Sequence, residues 1–147
     1  MKRGGADLVP PFPVSKDNGM TWMAVTREQK VANFLKAGGK TPWEQGDKYE
    51  LSYENNLKEE QTELREAMQR YVKDPSEGNR AELCKEWADV QVVLSNIAVY
   101  FDIPADPAFN RVHENNMTKV VDGKLRIRED GKILKPEGYV KPDMRGL

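Results

Sequence analysis

The chain has 147 residues, 38% of them hydrophobic and 32% charged, with a formal net charge of −1. That length suggests one domain. No apolar run approaches the length of a membrane span, and no apolar N-terminal core resembles a signal segment. Charge is unevenly spread: residues 51–105 carry 6 Lys/Arg against 11 Asp/Glu, and residues 106–147 carry 9 against 7. A broad basic surface for nucleic acid is therefore absent from the pattern, and the single Cys84 suits a reducing cytoplasm without disulfides.

Residues 1–25 hold Pro10, Pro11 and Pro13 and show no period; they read as an irregular arm. At Thr26 the pattern turns helical. Thr26 with Gln29 fits a capping box, Val31, Phe34 and Leu35 form an apolar face, and Gly38-Gly39 is a stop. Pro42 and Trp43 fall in a loop. The spacing predicts a second helix over 49–71 with the stripe Tyr53, Leu57, Leu64, Met68 and Tyr71. Pro75 and Gly78 end it, and Asn79 is a cap for the next.

The third helix is expected over 80–101, with Leu83, Trp87, Val90, Leu94, Ile97 and Phe101 as its stripe and Trp87 in the core. The short connection predicts that the second and third helices lie antiparallel. Residues 102–107 break the chain, and 108–119 are expected to form a short helix carrying the lone His113, a surface residue. In the tail, 125–129 and 132–135 about Asp130-Gly131 suggest a small β-hairpin with a two-residue turn, or an extended tail resting on helices or on a neighbouring subunit. The expected architecture is an all-α antiparallel bundle at 26–120, with residues 121–147 contributing to the site or an interface. Its apolar stripes favour a homodimer or homotetramer.

Two acidic pairs lie beside these stripes. Glu60 and Glu63 are three residues apart on one helical face, and so are Glu86 and Asp89 on the next helix. If the two flanks face each other, four carboxylates converge, an arrangement opposed by repulsion and desolvation unless cations are present. Mg²⁺ resolves the conflict: it accepts carboxylate oxygens while retaining waters and phosphate oxygens. The alternatives are solvated helix charges and a structural carboxylate lattice without catalysis.

The residues LKEEQTEL (57–64) and ELCKEWADVQVVLSNIAVYFDIP (82–104) resemble the all-α nucleoside triphosphate pyrophosphohydrolases. That superfamily includes MazG-type enzymes, phosphoribosyl-ATP pyrophosphohydrolases and dimeric dUTPases. Its E-E-x-x-E and E-x-x-D marks fall here on Glu59, Glu60 and Glu63, and on Glu86 and Asp89. FNRVHENNMTKV (109–120), residues 122–139 and Pro142-Asp143 resemble the C-terminal signature of a MazG-like, phosphoribosyl-ATP-pyrophosphohydrolase-like branch. Phe101 stands where relatives often carry Gly.

The resemblance implies Mg²⁺-dependent cleavage of the α–β phosphoanhydride bond of a (deoxy)nucleoside triphosphate. Glu60, Glu63, Glu86 and Asp89 would hold metal, and Glu59 would be an auxiliary ligand or orient the attacking water. Asn96 and Tyr100, further along the Glu86/Asp89 side, are candidates for the base or sugar, with Asn56 a similar one. Asn116 and Lys119 are candidates for the triphosphate or sugar, and Arg126 and Arg128 share a strand face that suits phosphate or solvent. No phosphate loop or dinucleotide fingerprint is present. A non-catalytic helical nucleotide-sensing or protein-binding module is the alternative function.

Overall fold

Thr26 starts the first helix as its sequence predicts. Its Oγ1 accepts the Gln29 backbone N–H at 3.1 Å, and Gln29 Oε1 accepts the Thr26 N–H at 2.8 Å. The two bonds satisfy donors that a helix start leaves open. The helix, α1 (Arg27–Ala37), stops at Gly38, with Gly39 in the left-handed region at φ +73°. A computed structural model describes residues 25–40 and 48–147. The arm expected over 1–25, apart from Val25, lies outside the described residues, as do Pro42 and Trp43.

The second helix begins differently from the expected regular one. Glu50–Leu57 is a π-helical segment that runs directly into α2 (Lys58–Lys73). Its i→i+5 bonding widens the turn, so a 3.6-residue wheel misplaces its side chains. Ser52 is buried there, whereas the expected stripe residue Tyr53 is exposed. On α2 the buried position is Ala67, at 1% exposure, and Met68 is half-exposed.

Ser76, and not Asn79, caps α3 (Glu77–Tyr100). Its Oγ accepts the Asn79 N–H at 3.2 Å, while the Asn79 side chain donates back to the Asp74 carbonyl at 2.9 Å. The helix therefore starts earlier than predicted, with Gly78 inside its first turn. It packs against α1, α2 and the π-helical segment. These contacts bury Glu86, Val93, Ser95 and Ala98. Ser95 and Ala98, and the buried Ala67 on α2, are small, and small residues permit close approach where helices pack. The larger members of the expected stripe lie at the edges: Trp87 is 54% exposed, and Leu94 and Phe101 are nearly half-exposed. The core assignment of Trp87 is thus corrected. Phe34 is also turned outward.

Phe101 ends α3, and Asp102 takes a left-handed conformation at φ +54° just beyond it. Glycine is the usual residue for that exit, but Asp is among the few others that tolerate it. The chain divides here into two compact units, Met1–Asp102 and Ile103–Leu147.

The second unit starts with α4 (Ala105–Met117), three residues ahead of the expected start, with His113 exposed on it. The C-terminal residues cling to this helix. Arg111 Nη1 donates to the carbonyls of Asp143 (3.1 Å) and Arg145 (2.8 Å). Asn115 Nδ2 donates to the Val140 carbonyl at 2.7 Å, and its Oδ1 accepts the Tyr139 hydroxyl at 2.6 Å.

The tail has bridges but no extended strands among the described residues: Val121 with Lys124, and Ile127 with Ile133. The type I′ turn that an Asp-Gly pair favours would need positive φ at both positions, and a type II′ turn would need it at Asp130. Only Gly131 has it, at +84°. The chain instead closes a three-residue loop, with Gly131 N–H to Arg128 O and Arg128 N–H to Lys132 O, both 2.8 Å. The described structure is a mostly helical, all-α bundle with a C-terminal extension.

Candidate metal centre

Glu60 and Glu63 stand one turn apart on α2, and Glu86 projects from α3. One carboxylate oxygen from each lies within 4.8 Å of the others. Glu86 is only 4% exposed, and Oε2 of Glu60 and Oε2 of Glu86 are buried with no hydrogen-bond donor among the described residues. An ionised carboxylate only accepts hydrogen bonds, so each such oxygen carries a desolvation cost while the trio is ionised; a hydrogen bond between Glu63 and Glu86 relieves part of the crowding.

The protonation preferences reflect this crowding. Burial chiefly, then the charges of Asp89, Glu63 and Glu86, pushes the Glu60 carboxyl above its ordinary pKa. Glu63 is also raised, first by burial and then by the Glu86 and Glu59 charges. Glu86 moves the other way because Lys85 donates to it. Lys85 Nζ is 2.9 Å from Glu86 Oε1 and 3.1 Å from Asp89 Oδ2. Asp89 is thus engaged by Lys85 and is not one of the close trio, although its charge bears on Glu60.

Lys85 is the residue that the sequence reading missed. A signal was available: it is adjacent to Glu86 and one helical turn before Asp89. The donors suit a hard divalent cation, since all three are carboxylate oxygens and two unpartnered oxygens are buried.

A family model described as phosphoribosyl-ATP pyrophosphohydrolase matches residues 41–116, just over half of the chain. The chain belongs to this family. Membership points to pyrophosphohydrolase-type enzymatic chemistry and agrees with the broader MazG-like resemblance. The matched span contains Glu59, Glu60, Glu63, Glu86 and Asp89 and reaches Asn116; Lys119, Arg126 and Arg128 lie beyond it. A search of the curated proteins gives no match.

The other predicted residues have varied surroundings. Glu59 is exposed on α2, near enough to influence Glu63. Asn96 and Tyr100 are half-buried, about two and three turns along α3 from Asp89. Asn56 donates its amide to the Leu51 carbonyl inside the π-helical segment, a local use of that side chain.

In the second unit, Lys119 Nζ donates to Asn116 Oδ1 at 2.8 Å and stands 5.6 Å from the Tyr139 ring centre. Arg126 is exposed, while Arg128 is held by Asp130 through Nε at 2.9 Å. A cavity of about 600 Å³ in this unit is lined by α4 residues and 136–143; none of the candidate carboxylates lines it. Among the described residues, no helix is long and apolar enough to cross a membrane.

Proposed function

We propose that the protein hydrolyses the α–β phosphoanhydride bond of a (deoxy)nucleoside triphosphate, releasing the nucleoside monophosphate and pyrophosphate. The observation that carries this reading is the Glu60–Glu63–Glu86 trio with its two buried, unpartnered oxygens, set within the family match. Magnesium, when bound, would neutralise charge on the phosphates and make a coordinated water more acidic.

The chain's own residues divide the remaining work. Glu60, Glu63 and Glu86 hold the cation, with Asp89 as a fourth ligand. Glu59 is exposed beside Glu63 and orients the attacking water. Asn96 and Tyr100 contact the base or sugar. Asn116, Lys119, Arg126 and Arg128, all in the second unit, are candidates for the polyphosphate. Asn56 is the weakest member of the substrate set because its amide already has a backbone acceptor.

Homo-oligomeric assembly, as dimer or tetramer, belongs to the same proposal. Its support is the exposure of Phe34, Trp87, Val92 and Leu94 in the isolated chain. Light scattering coupled to size-exclusion chromatography tests it.

The deciding experiment incubates the protein with a nucleotide panel, with and without Mg²⁺, and identifies the products. Monophosphate and pyrophosphate, appearing only with the metal, support the proposal. Orthophosphate as the primary product overturns it. Binding without turnover by any nucleotide in the panel favours a sensing module instead.

A further inference from the structure

Lys85 has two carboxylate partners, and both belong to the proposed metal centre. Its Nζ contacts Glu86 Oε1 and Asp89 Oδ2 at 2.9 and 3.1 Å. The Lys85 side chain is 60% exposed, whereas that of Glu86 is 5% exposed. A solvent-exposed lysine therefore reaches in to a buried acid. The other Glu86 oxygen, Oε2, is buried with no donor among the described residues. The ammonium thus compensates one side of Glu86 and leaves the other open.

We propose that Lys85 is a built-in counter-ion of the metal-free protein, displaced from Glu86 and Asp89 when a divalent cation enters. This inference rests on the metal-binding reading of the trio and adds a residue that sets the affinity of that site. Lys85 stabilises crowded acids on α3 in the absence of metal. It also competes for oxygens that the metal needs, and its charge opposes a second cation close by. The exposed stem can swing into solvent at little packing cost, which suits a displaceable ion better than a buried one. Lys85 is a positioning and affinity-setting residue and takes no part in bond making.

The test uses the full chain and Mg²⁺ alone, without nucleotide. Titration calorimetry should show Lys85→Met binding Mg²⁺ about three- to tenfold more tightly than wild type. Melting in chelator should show a lower midpoint for the same variant. A merely structural lysine would not improve metal binding when removed. Equal or weaker Mg²⁺ affinity in Lys85→Met overturns the inference.

A second measurement needs no variant. The Lys85 side-chain Cε–Hε resonances of wild type should shift as Mg²⁺ saturates the protein; unchanged resonances at saturation overturn the inference. Failure of the underlying reading looks different. If wild type binds no Mg²⁺, the metal centre itself falls. If wild type binds it, Glu63→Gln does not, and Lys85→Met matches wild type, only the role of Lys85 falls.

Discussion

Two groups of carboxylates, one in each unit, meet opposite surroundings. In the first unit, Glu60, Glu63 and Glu86 crowd together, and two of their oxygens are buried with no donor among the described residues. In the second, Asp130 accepts from Arg128 and from the Lys132 backbone N–H, and Asp143 accepts from the Arg145 backbone N–H and guanidinium at 2.7 to 3.0 Å. The tail acids complete their own local structure. The helical acids are incomplete without a positive charge, and Lys85 supplies only part of it. Charged residues of the same type thus separate into those that shape a turn and those that crowd together with buried oxygens.

The sharpest way to break this contrast is to neutralise one acid in each unit. Glu63→Gln should reduce turnover by roughly a hundred- to a thousandfold or more, as expected when a preorganised group at a reacting centre is removed. The metal-free protein should melt no lower than wild type, because one of the crowded charges is gone. Asp143→Asn, whose partner Arg145 lies outside the proposed substrate set, should leave turnover near the wild-type level. Parallel steady-state kinetics and thermal melts check all three outcomes. Equal activity losses in both variants would remove the distinction.

The helical acids were legible because their spacing is a property of the regular helix. Three residues separate Glu60 from Glu63, and the same face geometry holds on α2 despite the irregular turn before it. The capping box at Thr26 and the stop at Gly38-Gly39 were legible for the same local reasons. The π-helical segment was not, since apolar periodicity presupposes the hydrogen-bond register that it changes. Asn79 and Ser76 are both capable caps. Their competition is resolved by the bond from Asn79 N–H to Ser76 Oγ and by the tie from Asn79 to Asp74, which need three-dimensional placement. Trp87 was misplaced because the buried positions of α3 are Glu86, Val93, Ser95 and Ala98, a face that hydrophobicity alone does not report. Lys85 was within reach of the sequence, since both of its partners are local, at i+1 and i+4.

A pH series sharpens the comparison next. Glu60 and Glu63 have raised pKa values in the folded chain, above the ordinary 4.5. Folded protein then holds protons that the unfolded chain has released, so their contribution is fully present below 4.5 and is lost as pH rises through the folded values. Glu86 has the opposite sign. Its stabilisation is present above 4.5 and is lost as pH falls through its lowered value. Denaturant titrations in chelator should therefore show stability falling as pH rises from 4.5 toward neutrality, and saturating Mg²⁺ should flatten that limb. A pH-independent limb without metal would show that the crowding has no energetic consequence.

In the second unit a smaller loss is expected from Asn115→Ala. It removes the bond to the Val140 carbonyl and leaves the Tyr139 hydroxyl without its acceptor. The cost should be about 1–3 kcal/mol of local stability. Hydrogen exchange should detect it as faster exchange of the tail amides around residues 139–145. Tyr139→Phe removes only one partner of that network and should cost less, about 1 kcal/mol.

The smallest effect should come from the Asp143–Arg145 pair, and it tests the self-sufficiency of the tail most directly. Arg145 side-chain bonding first, and its backbone N–H second, lowers the Asp143 pKa to about 2. The pair is well exposed, so salt and solvent screen it and its removal should barely change the melting midpoint at neutral pH. The effect belongs to the acid range. Asp143 stabilises the fold above its unfolded pKa, near 3.8, and this contribution disappears as pH falls toward 2. A carboxyl NMR titration should find the wild-type midpoint near 2 and an upward shift in Arg145→Ala, with part of the depression retained through the backbone donor. If the wild-type midpoint lies at the ordinary aspartate value, the tail acid is merely solvated, and the contrast with Glu60 and Glu63 reduces to burial alone.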